Sequence, residues 1–308
     1  MKKNILIILS FIILFPLISF AQQKKGDTFK LYFLGGQSNM DGFGLNAELP
    51  DSLKKPFENI WIFHGNPAED DKQNGGMGKW EKLNPGHGFG FLADGKNNKL
   101  SKKFGVELSF AKKLQELYPN EKIAVIKYSR GGTAIDADAA GPYGCWDPDY
   151  IGSNGINQYD HFLTTIRNAF DVKDINGDGK KDRLVPSGII WMQGESDACY
   201  GEEIAGRYYS NLKRLMDLLR AALLTDDLPV VIGKISDSGK NKEGKIWPYC
   251  ELIQHSQEKF VRTDDNAAIV RDTRKYKYSD PAHYDSAGFI DLGEKFATAV
   301  YQLNNGKK

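Results

Sequence analysis

The sequence predicts an α/β fold of three layers, with a parallel sheet of about five strands between two layers of helices. Three observations predict it. Strand-like and helix-like apolar periods alternate along the chain, as strand–helix–strand units require. Several strand-like runs are apolar at nearly every position, as strands buried on both faces are. No internal repeat and no long linker breaks the pattern, so residues 22–308 are expected to form a single domain.

The first segment stands apart. Lys2 and Lys3 precede the apolar run ILIILSFIILFPLISF (5–20), and Ser19 and Ala21 put small residues where a signal peptidase reads. A cleaved secretory leader, residues 1–21, is expected, and with it a secreted or periplasmic protein. A membrane anchor fits less well, because the run is short for a span and contains Pro16.

The strands then follow in order. KLYFLGG (30–36) is the first and NIWIFHG (59–65) the second. KIAVIKYS (122–129) is rich in branched residues and bounded by polar turns. PSGIIWMQG (186–194) and LPVVIGKIS (228–236) are the fourth and fifth, and AAIVRDT (267–273) allows a short sixth. Helical spacing appears between them. Residues 105–119 put Leu108, Ala111, Leu114 and Leu117 on one face and stop at Pro119. Residues 202–224 repeat Ile204, Tyr208, Leu212, Leu215 and Leu219, and residues 286–303 close the chain in the same way.

Composition narrows the function. A 308-residue chain with 41% hydrophobic residues can build a sizeable core. A formal net charge of +1 gives no strong pull toward nucleic acid or a membrane surface. Of Cys145, Cys199 and Cys250, an oxidising compartment permits one pair, with Cys145–Cys199 favoured; three free thiols are the alternative. No cysteine spacing matches a zinc site.

The chemistry gathers at strand ends. In an open parallel sheet, ligands bind beyond the carboxyl edge. The first strand ends in GGQSNM, which puts Ser38 at a sharp strand-to-helix turn. A helix cap is the structural alternative for that serine. A serine hydroxyl needs a base, and His283 in SDPAHYD lies three residues after Asp280. That spacing lets the carboxylate orient one ring nitrogen and leave the other for the serine proton. Two further strand ends carry oxyanion donors: YSRGGTAI with the N–H groups of Gly131 and Gly132, and WMQGESD with the Gln193 amide, two residues before Glu195.

These blocks, GQSNM, SRGGT, WMQGESD and DPAH, resemble those of the SGNH-type hydrolases. With QGE in the third block, the chain resembles the sialate O-acetylesterase and acetylxylan esterase group, carbohydrate esterase family six. Ordinary members of the wider superfamily carry asparagine where this chain has Gln193. The resemblance implies a flavodoxin-like SGNH fold and a serine esterase that removes acetyl groups from sugars without a cofactor. It implies Ser38 as nucleophile, His283 as base and Asp280 as its orienting acid. The Ser38 and Gly132 N–H groups and the Gln193 amide would form the oxyanion hole, with Gly131 competing for Gly132. Glu195 would either orient the histidine in place of Asp280 or hold the glycine loop. Gln37 and Asn39, beside the serine, are candidate substrate contacts.

Two features lie outside those blocks. DINGDGKKD resembles a calcium loop, with Asp174, Asn176, Asp178, Lys180 and Asp182 at positions one, three, five, seven and nine. Val185 stands where the bidentate glutamate belongs, so a calcium there would bind more weakly or borrow ligands from elsewhere, and it would be structural because a serine esterase needs no metal. Trp146 in GCWDPDY is the aromatic expected to stack on a sugar. The expected partner is an acetylated oligo- or polysaccharide, acetylxylan first and an O-acetylated sialic acid second. A non-catalytic, calcium-stabilised sugar-binding protein is the reading from another class.

Overall fold

The computed structural model describes residues 25–152, 155–242 and 244–306; the expected leader lies outside them. β1 (Lys25–Gly36) leads through Gln37 into α1 (Ser38–Asp41). Then come β2 (Gly44–Leu45), β3 (Ile60–His64), β4 (Trp80–Lys82), β5 (Leu92–Ala93), β6 (Asn98–Lys99) and β7 (Lys103–Phe104). The order continues with α2 (Glu107–Leu117), β8 (Lys122–Ser129), α3 (Gln158–Asp171), β9 (Lys181–Met192), α4 (Asp197–Tyr200) and α5 (Glu202–Ala222). It ends with β10 (Val230–Gly233), α6 (Cys250–Thr263), β11 (Ala267–Val270) and α7 (Ser286–Asn304).

Seven strands form one sheet in the order β11-β10-β9-β1-β8-β3-β4. Neighbours are parallel except β3 and β4. β2 pairs with β7 and β5 with β6 in two small ladders. The sheet is therefore wider than the five strands expected. β11 is the short sixth run, and β4 is a three-residue antiparallel edge too short to show a period.

Alternation along β1 sets the layers. Successive strand side chains point to opposite faces. Tyr32 packs edge-on against Phe110 of α2, and Phe33 packs against Phe162 of α3. A Cβ at Gly188 of β9 would meet Val300 of α7 and the Tyr32 ring, so α7 shares the α2 face. α5 buries Tyr208, Leu212, Leu215 and Leu219 as read from its sequence, with Ala205 buried in place of the expected Ile204.

The central register places the site. Gly36 lies beside Ser129 on one flank and Met192 on the other. The turns after β1, β8 and β9 thus leave the sheet at one level of one edge. Gly36 has φ +141, and a Cβ there would sit 2.0 Å from the Met192 carbonyl oxygen, so the close approach of β1 to β9 requires glycine.

Candidate active site

Ser38 opens α1 at the carboxyl end of β1 and is 8% exposed. Its neighbour across the turn is Gly131, where a Cβ would come within 3.2 Å of Ser38 Cβ. Ser38, Gly131, Gly132 and His283 line one cavity of about 600 Å³. Among the described backbone hydrogen bonds, none is donated by Ser38, Gly131 or Gly132, which leaves those N–H groups for a ligand. Gly132 has φ +77, a conformation that glycine adopts without strain.

His283 lies in the loop before α7. Its Nδ1 is 2.8 Å from Asp280 Oδ2, while Asp280 Oδ1 accepts the N–H groups of Ala282 and His283. Partial burial pulls the Asp280 carboxyl upward, but these hydrogen bonds prevail and hold it below the usual range. An ionised Asp280 can only accept, so Nδ1 carries the ring proton and Nε2 is left as a base. Phe43 stacks flat on the imidazole, centroids 3.6 Å apart and planes within 3°. No described hydrogen bond joins Ser38 Oγ to His283, an arrangement common before substrate binds.

Glu195 does not reach the histidine. It is 1% exposed, its Oε1 accepts from Asn39 Nδ2 at 2.8 Å, and its Oε2 has no partner among the described residues. Burial pushes its carboxyl up to about 7. Asn39 also donates to the Ala282 carbonyl and accepts from the Tyr284 N–H, so it bolts α1 to the loop that carries His283. At 1% exposure Asn39 is a buried strut rather than the expected substrate contact. Gln37 does line the cavity, and its Oε1 accepts the N–H groups of Gly194 and Ser196.

Gln193 is also turned away. It is fully buried, its amide donates to the Thr133 carbonyl and to Asp197 Oδ2, and its Oε1 accepts from Tyr208. Both amide hydrogens are engaged, so Gln193 reaches the glycine turn only through Thr133. Asp197 completes that support by accepting the N–H groups of Ile135 and Asp136, and burial pushes it up to about 6. The structure thus gives the work of holding the glycine loop to Asp197, a residue present in the WMQGESD block and not singled out there.

A family profile described as carbohydrate esterase, sialic acid-specific acetylesterase matches residues 28–302. The chain belongs to that family. It is an esterase acting on acetylated sugars. No curated protein matches the sequence. Among solved structures, this esterase is similar to a protein from Arabidopsis thaliana (21% identity, 88% of this chain and 97% of that one, TM-score 0.60). It is also similar to XAC1771, a carbohydrate acetylesterase from Xanthomonas citri (18% identity, 90% of this chain and 57% of that one, TM-score 0.59). NanS is similar at 17% identity, over 92% of this chain and 99% of that one, with TM-score 0.59.

Trp146 and the cysteines of the esterase differ from expectation. Trp146 is fully buried, edge-on to Trp191 at 4.9 Å with its Nε1 on Thr133 Oγ1, so it is core and not a sugar platform. The cysteines are free thiols and Cys145–Cys199 is not a bridge. In the 174–182 loop, Asp174 accepts the N–H groups of Gly177, Asp178 and Gly179. Asp182 accepts those of Asp27 and Ile175, Asn176 bonds Asp27, and Lys180 pairs with Asp178 at 2.7 Å. These bonds close the loop on itself and tie it to Asp27 of β1. Among the described residues, no three metal-ligating side chains converge.

Proposed function

We propose that the protein is an exported serine acetylesterase that deacetylates a polysaccharide of the acetylxylan type. The observation that carries the catalytic part is the meeting of Ser38 and the Asp280-bound His283 on one cavity, beside two glycines with N–H groups to offer. His283 Nε2 takes the Ser38 proton as Oγ attacks the acetyl carbonyl carbon. The Ser38 and Gly132 N–H groups face the oxyanion that forms. Collapse breaks the bond to the sugar oxygen, which leaves as a hydroxyl with the proton from His283. Water then gives a proton to His283 and attacks the acetyl-serine; collapse breaks the bond to Ser38 Oγ, which takes that proton back from His283 as acetate leaves.

Export is supported by Lys2, Lys3, the apolar run and Ser19-Phe20-Ala21. An O-acetylated sialic acid is the second reading, favoured by the description of the family. One experiment addresses the proposal. The full chain is expressed in a bacterium, recovered from periplasm or medium, and assayed for acetate release from acetylxylan and an O-acetylated sialoside. Mature protein beginning at Gln22 and activity at least 10³-fold lower in Ser38→Ala are expected. Retained leader refutes export, and full activity in Ser38→Ala refutes the serine mechanism.

A further inference from the structure

The cavity holding Ser38 has a mouth unlike the rest of the surface. Eleven large hydrophobic side chains are exposed among the described residues, and four of them line this cavity: Phe89 (49%), Leu92 (48%), Tyr143 (47%) and Tyr200 (52%). They come from three separate segments of chain, so local sequence does not explain the cluster. Exposed apolar surface gathered in one place marks a binding surface.

Each aromatic ring is held from one side. Tyr143 covers Gly132, where a Cβ would lie 2.4 Å from its ring, and the Tyr200 hydroxyl packs over Gly141. Phe89 stacks on Phe43, centroids 4.7 Å apart, and Phe43 in turn stacks on His283. One wall therefore stands against the oxyanion turn and another against the base. Each of the three residues remains about half exposed.

A single acetyl group cannot fill about 600 Å³. The mouth also mixes apolar faces with polar tips, the hydroxyls of Tyr143 and Tyr200. A pyranose ring has that same division, with C–H bonds on its faces and hydroxyls at its edge. A fatty acyl chain offers nothing to the polar tips.

We infer that this rim is a sugar-stacking subsite, so that the substrate is an acetylated oligosaccharide whose neighbouring rings lie on Phe89 and on Tyr143 and Tyr200 while the acetylated ring faces Ser38. The inference rests on the acetyl-sugar reading above and adds a chain-length requirement to it.

Steady-state kinetics of the purified protein test it. Acetylated xylose and acetylated xylotriose are compared, with free O-acetylated sialic acid and its sialyl trisaccharide in parallel. 4-Nitrophenyl acetate and octanoate serve as references. For at least one of the two sugars, kcat/KM is expected to be at least tenfold higher for the trisaccharide than for the monosaccharide. Phe89→Ala and Tyr200→Ala should each reduce that ratio at least fivefold, through KM, and Tyr200→Phe should keep it. Equal kcat/KM for the mono- and trisaccharide of both sugars overturns the inference. So does a preference that survives both alanine variants. Octanoate turnover above acetate turnover that falls in those variants would make the rim an acyl site and overturn it too. If no acetylated sugar of either length is cleaved while 4-nitrophenyl acetate is, the acetyl-sugar reading itself fails, and the inference falls with it.

Discussion

Asp280 uses one oxygen to shape the turn that carries His283 and the other to hold its ring. The unit is local, four residues from Asp280 to His283, and was legible in the sequence for that reason. Glu195 was open to two readings because its partner, Asn39, lies 156 positions away. Its carboxylate holds the strut under the histidine loop, not the histidine. Asp280→Asn should therefore lower kcat by about 10²–10⁴-fold, while Glu195→Gln, which keeps an acceptor for Asn39, should stay within about tenfold of wild type. Steady-state kinetics on 4-nitrophenyl acetate measure both, and the reverse ranking would move the acid role to Glu195. Gln193 and Trp146 were misplaced for one physical reason. The sequence shows which groups follow a strand, not where they point: Gln193 is turned by Asp197 four residues on and by Tyr208 and Thr133 on other segments, and Trp146 by Trp191 and Thr133.

At the scale of elements, β8 does more than fill the sheet. Lys127, in the middle of an apolar strand, is fully buried and paired with Glu107 of α2 at 2.8 Å. Its ammonium also donates to the carbonyls of Asp41 and His87. One side chain thus fixes α2, the end of α1 and the glycine-rich loop that leads to Phe89. Lys127→Met should destabilise the protein by about 3–5 kcal/mol, because Glu107 is left buried without its counter-charge, with only the Gly105 N–H to satisfy it. Urea unfolding monitored by circular dichroism reads the loss, and a change below about 1 kcal/mol would mean that the pair is dispensable. The buried strands were legible from their apolar runs, but a lysine inside one was a signal passed over. The spacing of the 174–182 loop was equally legible. What could not be read was that its oxygens accept the loop's own N–H groups.

Over the whole molecule, buried ionisable groups couple stability to pH. Burial pushes Asp41 and Glu195 up to about 7 and Asp197 to about 6. Each keeps its proton in the folded chain where the unfolded chain has lost it, so each withdraws stability as pH rises from about 4 toward 7. His64 and His161 act in the opposite sense, because burial lowers them and the unfolded chain binds their protons more readily. Their effect ends above about pH 6.5, near the ordinary histidine value. Removing one acid isolates its share. The Tm of Glu195→Gln minus that of wild type should grow from pH 5 to pH 8, corresponding to about 1–3 kcal/mol; a constant difference would show that Glu195 ionises as freely folded as unfolded. The central position of β1 has a consequence of another kind. Its sheet partners begin only at Lys122 and Lys181, and Asp280 and His283 come after every strand. Synthesis runs from the amino end, so β1 leaves the ribosome long before either flank can be covered. An uncovered strand invites foreign pairing, which makes the half-made chain a client for chaperones. The same order acts as a safety catch: a nascent chain displays its serine early but has no base to arm it until the last segment folds down.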